Sequence, residues 1–241
     1  MDFAIALGNF DGVHLGHEKL IEKTIEMAKE NNIEPMVFTF TKNPVNIISG
    51  KISAPQITQC EEKIKRINNL GIKNIFCTDF SEIMDFSAED FVKYMIQKHN
   101  AKILLCGFNF SFGKNREGNP EVLKNLCDKY NIKSFILPPV TVEDVSVSST
   151  EIRNLIKNGN MEKANTLLTE PFLIESKVVH GKKIGRTIGA PTINQNFEAD
   201  ALIPSHGVYI TKTVIDGKEY PSVTNVGSKP TVSNENKITM E

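Results

Sequence analysis

The sequence predicts an α/β chain: a doubly wound parallel sheet followed by a smaller, partial all-β barrel. Three observations carry this. Over residues 1–140, short apolar runs alternate with segments whose apolar residues repeat at helical spacing. Beyond Pro171 the helical period disappears, and short β-rich runs separated by Gly, Pro, Asn and Asp take its place. Between the first apolar run and the first helical segment lies GNFDGVHLGH, residues 8–17. It is a glycine-rich strand-to-helix junction of the kind at which α/β sheets hold ligands.

The elements follow in order. Residues 3–7 read as a short buried strand, and 17–31 as a helix through Leu20, Ile21, Ile25 and Ala28. Residues 35–40 are strand-like, 60–70 helical through Ile64, Ile67 and Leu70, and 72–77 strand-like. Ser87-Ala88-Glu89-Asp90 caps a helix to 99 with an acidic first turn, continued by Phe91, Val92, Met95 and Ile96. A strand at 102–106, a helix at 120–130 and a strand at 133–137 complete five strands separated by helices, hence a parallel sheet. Its ligand crevice lies at the carboxyl ends of the strands, where 8–17 and 107–113 both belong. Ser148-Ser149-Thr150-Glu151 reads as a capping box before Ile152, Leu155 and Ile156, with Gly159 as the stop and a second short helix to about 168. In the β-rich part, 172–179, 207–214 and 220–226 are strand-like, and Ile215-Asp216-Gly217-Lys218 is a hairpin turn. The expected division is 1–168 and 169–241.

Composition narrows the partners. The chain has 241 residues, 40% hydrophobic, with 28 basic against 29 acidic side chains. Such balance argues against nucleic acid or an anionic membrane as a bulk electrostatic partner, and leaves room for a phosphorylated small molecule. Cys60, Cys77, Cys106 and Cys127 form no CxxC pair and read as structural. No apolar stretch reaches the length of a membrane span, no secretory signal is evident, and a reducing cytoplasm is expected.

Four segments carry chemistry. In the first, Gly8, Asn9, Phe10, Asp11 and Gly16 shape a loop whose helix amides suit phosphate, and His14 and His17 add donors for transferring charge. The glycines are spaced by fours, so the segment is no GxGxxG and implies no nicotinamide. The second, GFNFSFGK at 107–114, fails as a P-loop because five residues separate its glycines and Asn115 stands where Ser/Thr belongs. Phe108, Phe110 and Phe112 make either a plug of core aromatics or an apolar wall for a planar ligand, with Asn109 to hydrogen-bond it. In the third, Ser148, Ser149, Thr150 and Arg153 make first of all a helix cap, and its hydroxyls and arginine would also suit a phosphate. The fourth, 181–194, is glycine-rich and basic. Gly181, Gly185 and Arg186 could wrap phosphates, and Thr192 and Asn194, just past Pro191, offer oxygens toward Mg²⁺.

In this order GNFDGVHLGH, GFNFSFGKNREGN, VSSTEIRNLI, GKKIGRTIGAPTIN, HGVY and NVGSKPT resemble the bacterial bifunctional riboflavin kinase/FMN adenylyltransferase (FAD synthetase) family over essentially the whole chain. The resemblance implies a HxGH nucleotidyltransferase module that makes FAD from FMN and ATP, and a β-barrel module that phosphorylates riboflavin. By position, His14, His17 and Arg153 would meet ATP phosphates and the departing pyrophosphate. Ser148, Ser149 and Thr150 would bind nucleotide, and Asn109, Phe110 and Phe112 would lie near flavin. Thr192 and Asn194 would match the PTxN motif that holds Mg²⁺ and ATP, and Glu241 the glutamate that activates the riboflavin hydroxyl.

The chain departs from the family in three places. Thr41 and Asn43 replace an aspartate and a histidine, Ala190 replaces a bulkier residue, and the chain ends on Glu241 where the family's kinase module continues. The expectation is therefore FMN adenylyl transfer, with riboflavin phosphorylation lost to a truncated second module. Two other readings stand beside it: a nucleotidyltransferase for another cofactor precursor, and a flavin- or nucleotide-binding protein with decayed sites.

Overall fold

The computed structural model describes residues 1–180, 192–229 and 237–241. Five parallel strands form the first sheet: β1 (Phe3–Leu7), β2 (Glu34–Phe40), β3 (Asn74–Thr78), β4 (Ala101–Gly107) and β5 (Lys133–Leu137), in the order β3-β2-β1-β4-β5. Helices α1 (Leu15–Glu30), α3 (Cys60–Asn69), α4 (Ala88–His99) and α5 (Pro120–Lys129) make the crossovers, with α2 (Pro44–Ser49) a short turn of helix after β2. The doubly wound sheet is as the alternation of runs predicts.

Both faces of the sheet are buried, which is why its strands read as continuous apolar runs. Ile5 and Leu7 of β1 pack with Phe38, Phe91, Met95 and Leu104 on one side. Ala4 and Ala6 pack with Leu20, Ile21, Ile67 and Ile103 on the other. The strand order reverses between β1 and β4, so the loops leaving these two neighbours flank the switch-point crevice.

A short hairpin, β6 (Thr141–Val142) and β7 (Val145–Ser146), leads into α6 (Ser149–Lys157) and α7 (Met161–Leu167). These helices close a third core of Ile57, Val147, Ile152, Ile156, Leu167 and Leu202. The capping box at the start of α6 is half formed: Ser148 accepts from the Glu151 amide at 3.2 Å, with no return bond from the Glu151 side chain. Gly159 takes a φ of +80° just past the helix, as a stop requires.

The second sheet is antiparallel: β8 (Val178–Val179), β9 (Asn194–Asn196), β10 (Gly207–Ile215), β11 (Lys218–Lys229) and β12 (Lys237–Met240), in the order β10-β11-β12-β9-β8. Asp216 and Gly217 both have positive φ, 48° and 76°, the type I′ geometry that an Asp-Gly hairpin demands. The strand expected over 172–179 forms only at its end, and that expected over 220–226 runs longer. The first half of 172–179 pairs with no strand; Phe172 packs on the third core instead.

One buried group makes the first domain acid-sensitive. His99, at the end of α4, is 6% exposed among Phe38, Phe76 and Tyr94, and its Nε2 has no hydrogen-bond partner among the described residues. Burial, with Lys98 adding to it, lowers its pKa from the ordinary 6.5. The folded state then prefers neutral His99. Its contribution is full above the ordinary value and is lost as pH falls below it. The melting temperature should drop on acidification from about pH 7 to about pH 5, and more shallowly in His99→Phe, which keeps the ring and removes the titrating group. Thermal melts by circular dichroism across that range check it.

Candidate active site

The loop leaving β1 is built from strained backbone. Phe10, Gly12 and Val13 all adopt positive φ, at 53°, 88° and 42°. That is rare for a bulky or β-branched residue and is typical of functional turns. The loop delivers His14 as the N-cap of α1. His14 Nδ1 accepts from the His17 amide, and His17 Nδ1 accepts from the His14 amide, each at 3.3 Å. A pair of histidines thus closes a capping box. The rings stack at 3.6 Å with 14° between planes. Gly16 permits this, because a Cβ there would lie 3.1 Å from the His14 ring.

Both histidines are held neutral. Burial lowers His14 to about 4, with Arg153 adding to the fall. Burial lowers His17 too, reinforced by His14 and Lys63. With each Nδ1 occupied as an acceptor, the proton sits on Nε2. The result is two parallel N–H donors at the positive end of α1.

Asp11 anchors the loop. It is 3% exposed; Oδ1 accepts from the amides of Ile57 at 2.9 Å and Thr58 at 3.1 Å, and Oδ2 pairs with Arg153 of α6. Arg153 Nε also donates to the Pro55 carbonyl at 2.8 Å, and Ser149 Oγ donates to the Asp11 carbonyl at 2.8 Å. Burial raises the Asp11 pKa, opposed by Arg153, the two amides and Lys63. The segment read as a second phosphate site therefore does meet the His14/His17 loop. Arg153 reaches it by gripping Asp11, and Ser148 is committed to capping α6, while Thr150 lies exposed.

The loop after β4 divides. Phe112 is 7% exposed and packs on Phe91 and Phe110, so it belongs to the core. Of the two readings for these aromatics, Phe112 takes the core position, and its amide and carbonyl both pair with Gly118. Phe110 is half-buried against it, whereas Phe108 and Asn109 are exposed beyond the strand end. Asn43 is buried at 6% and caps α2 through the Val45 amide at 3.2 Å, with Pro44 first in the helix.

In the second sheet, Thr192 Oγ1 donates to Glu241 Oε1 at 2.6 Å. Asn194 is 9% exposed on β9, and Glu241 pairs with Asn225 of β11 through both main-chain groups. Thr192, just before β9, and Glu241, just after β12, meet because these two strands are neighbours in the sheet. Gly181, Gly185, Arg186 and Pro191 lie outside the described residues.

Two features escaped the sequence. Lys63 of α3 is 1% exposed, with Nζ 2.5 Å from the Phe40 carbonyl and 3.1 Å from the Asn9 carbonyl. Its signal was a lysine one position before Ile64 on a helix whose buried face is Glu62, Lys63, Arg66 and Ile67 rather than Ile64 and Leu70. The second is the approach of Cys60 and Cys77, with Sγ atoms 3.4 Å apart and both thiols free.

The structure thus sets a stacked pair of histidines at the switch point of a parallel sheet, followed by an antiparallel sheet with its own hydroxyl–carboxylate pair. The FAD synthetase family model matches residues 1–151 and the riboflavin kinase model residues 168–241. The bifunctional riboflavin kinase/FMN adenylyltransferase of Buchnera aphidicola (subspecies Schizaphis graminum) is 36% identical, over 97% of this chain and 76% of its own. That of Bacillus subtilis is also 36% identical, over 94% of this chain and 72% of its own. The chain belongs to the bifunctional riboflavin kinase/FMN adenylyltransferase family. In structure it is similar to a Streptococcus pneumoniae protein described as a macrolide-efflux protein, with a TM-score of 0.86, 30% identity and coverage of 100% of this chain and 79% of the other. Among the described residues here, no helix is long and apolar enough to cross a membrane.

The Asp11–Arg153 pair should dominate the stability of the loop. Asp11→Asn leaves a buried guanidinium without its counter-charge and is expected to destabilise the first domain by about 3–5 kcal/mol. Arg153→Met on that background should recover part of the loss. Urea unfolding of the two single variants and the double variant measures the coupling.

Proposed function

We propose that the first domain, residues 1–168, transfers AMP from ATP to FMN. The phosphate oxygen of FMN attacks the α-phosphorus in line, the bond to the bridging oxygen breaks, and pyrophosphate leaves with the electron pair. No covalent enzyme intermediate is required, so the protein's part is positioning and charge stabilisation. The observation that carries this reading is the stacked pair of neutral histidines. His14 and His17 present Nε2–H donors beside the N-terminal amides of α1, where charge grows on the leaving phosphates. Gly8, Asn9, Phe10, Asp11 and Gly16 shape the cradle, Arg153 holds it through Asp11, and exposed Asn109 with Phe110 is the pair we assign to flavin. Substrates are small molecules, FMN and ATP.

Mg²⁺ fits as a partner of the nucleotide. Among the described residues no cluster of three or more His, Cys, Asp or Glu could hold a metal alone. Hard oxygens of Thr192 and Asn194 suit an ion that keeps waters and shares phosphate oxygens. Bound, it would neutralise phosphate charge.

A second reading concerns the domain at 169–241. Thr192 and Glu241, hydrogen-bonded at 2.6 Å, favour phosphorylation of riboflavin, with Glu241 accepting the proton of the attacking hydroxyl.

A flavin product assay tests both. The chain with ATP, Mg²⁺ and FMN should yield FAD, and His14→Ala or His17→Ala should each lose about 10²–10³ in kcat, the worth of one such donor. Unchanged turnover in both variants would refute the role of the pair. No FAD from FMN would favour a binding protein with decayed sites. FMN appearing from riboflavin, and vanishing in Glu241→Gln, supports the second reading. Riboflavin that stays unconverted refutes it.

The pH profile gives an independent check. Because both histidines are already neutral, kcat/KM for ATP should show no acid limb at the ordinary histidine value of 6.5; the limb from His14 should lie near 4. An acid limb at 6.5 would mean that the histidines keep their ordinary pKa, and an alkaline limb there that they act as imidazolium.

A further inference from the structure

Lys63 is a buried cation that makes no ion pair among the described residues. Asp11, whose charge acts on it, spends its own oxygens on Arg153 and two amides. Lys63 Nζ instead bonds two main-chain carbonyls, Phe40 at the carboxyl end of β2 and Asn9 in the loop after β1. A second side chain grips the same Asn9 carbonyl: Thr39 Oγ1 donates to it at 2.9 Å. Burying an ammonium is costly, and an apolar side chain would fill the volume at lower cost. What the ammonium adds is direction. The peptide between Asn9 and Phe10 is planar and trans, so a carbonyl drawn toward α3 and β2 turns the Phe10 N–H to the opposite side. No hydrogen bond is recorded for that N–H among the described residues. Phe10 itself is held at a φ of 53°, a conformation it would not keep unaided.

We infer that Lys63, with Thr39, is a positioning residue for adenylyl transfer: it aims the Phe10 N–H into the nucleotide crevice and sets a positive charge behind the phosphate loop. The inference rests on the adenylyl-transfer reading above. It predicts an effect on ATP and not on the flavin.

The test is Lys63→Met, which keeps the length of the stem and removes the charge and both bonds. Its kcat/KM for ATP should fall about 100-fold, as a displaced phosphate contact would produce, with KM for FMN within about twofold of wild type. Thr39→Val, which removes one grip and no charge, should show the same split with a loss of about tenfold. If circular dichroism shows Lys63→Met unfolded, Lys63→Arg replaces it; its fork cannot place one nitrogen between the two carbonyls, and it should show the same split. Wild-type kcat/KM for ATP in these variants overturns the inference. So does a KM for FMN that rises in step with that for ATP, which marks a merely structural role. If the wild-type chain makes no FAD, the adenylyl-transfer reading fails by itself. Titration calorimetry with ATP and Mg²⁺ then decides Lys63 separately, an unchanged Kd in Lys63→Met overturning its role.

Discussion

The buried carboxylate of Asp11 is the constraint on which the rest of the site depends. Its two oxygens join three parts of the chain far apart in sequence: its own loop, the segment at 57–58 and α6 through Arg153. None of the three is held by the parallel sheet alone. A buried carboxylate is expensive to desolvate, and the rise in its pKa records that expense. Two amides and a guanidinium offset it, and only their simultaneous presence does so. The carboxylate thereby makes the arrangement cooperative: moving α6 or the 57–58 segment leaves a buried charge unpaired. The left-handed conformations at Phe10, Gly12 and Val13 persist because this anchor and the Lys63 grip over-determine the loop from both ends.

The same residues connect the two domains. The segment that supplies the Ile57 and Thr58 amides also supplies Gln56, whose amide donates to the Asp200 carbonyl at 2.7 Å and whose carbonyl accepts from the Leu202 amide at 2.8 Å. On the far side, Arg66 of α3 donates to the Glu170 and Pro171 carbonyls where the chain leaves α7. One helix, α3, therefore carries both Lys63 against the loop after β1 and Arg66 against the connection. Its buried face carries charge at Lys63 and Arg66, where it covers main-chain carbonyls, and an apolar side chain at Ile67, where it meets the core.

That explains where the sequence was legible. The five strands of the parallel sheet were, because two buried faces write continuous apolar runs such as Phe3 to Leu7 and Ile103 to Cys106. The Asp-Gly hairpin was, because positive φ at two successive positions restricts the residues that fit. The α2 turn was missed although Asn43-Pro44 is a cap followed by a first-turn proline; six residues are too few to show a period. In α3 the period was read on Ile64, Ile67 and Leu70, when the buried ridge runs through Glu62, Lys63, Arg66 and Ile67. A rule that sends charge to solvent inverts wherever a helix lies over carbonyls.

The site was legible in its donors and not in its supports. His14 and His17 stand out by spacing, and glycine at 16 explains itself once the rings are seen to stack. Nothing local in the sequence says that the two imidazoles cap each other's amides, yet this decides their chemistry. An ordinary Ser or Asp cap would satisfy α1 equally well and leave the histidines free to titrate. By accepting at Nδ1 in the cap, each imidazole is fixed as a neutral Nε2–H donor before any ligand arrives. The helix end has then exchanged a routine cap for one that also pre-orients two donors, so charge developing on a phosphate meets dipoles that need no reorganisation.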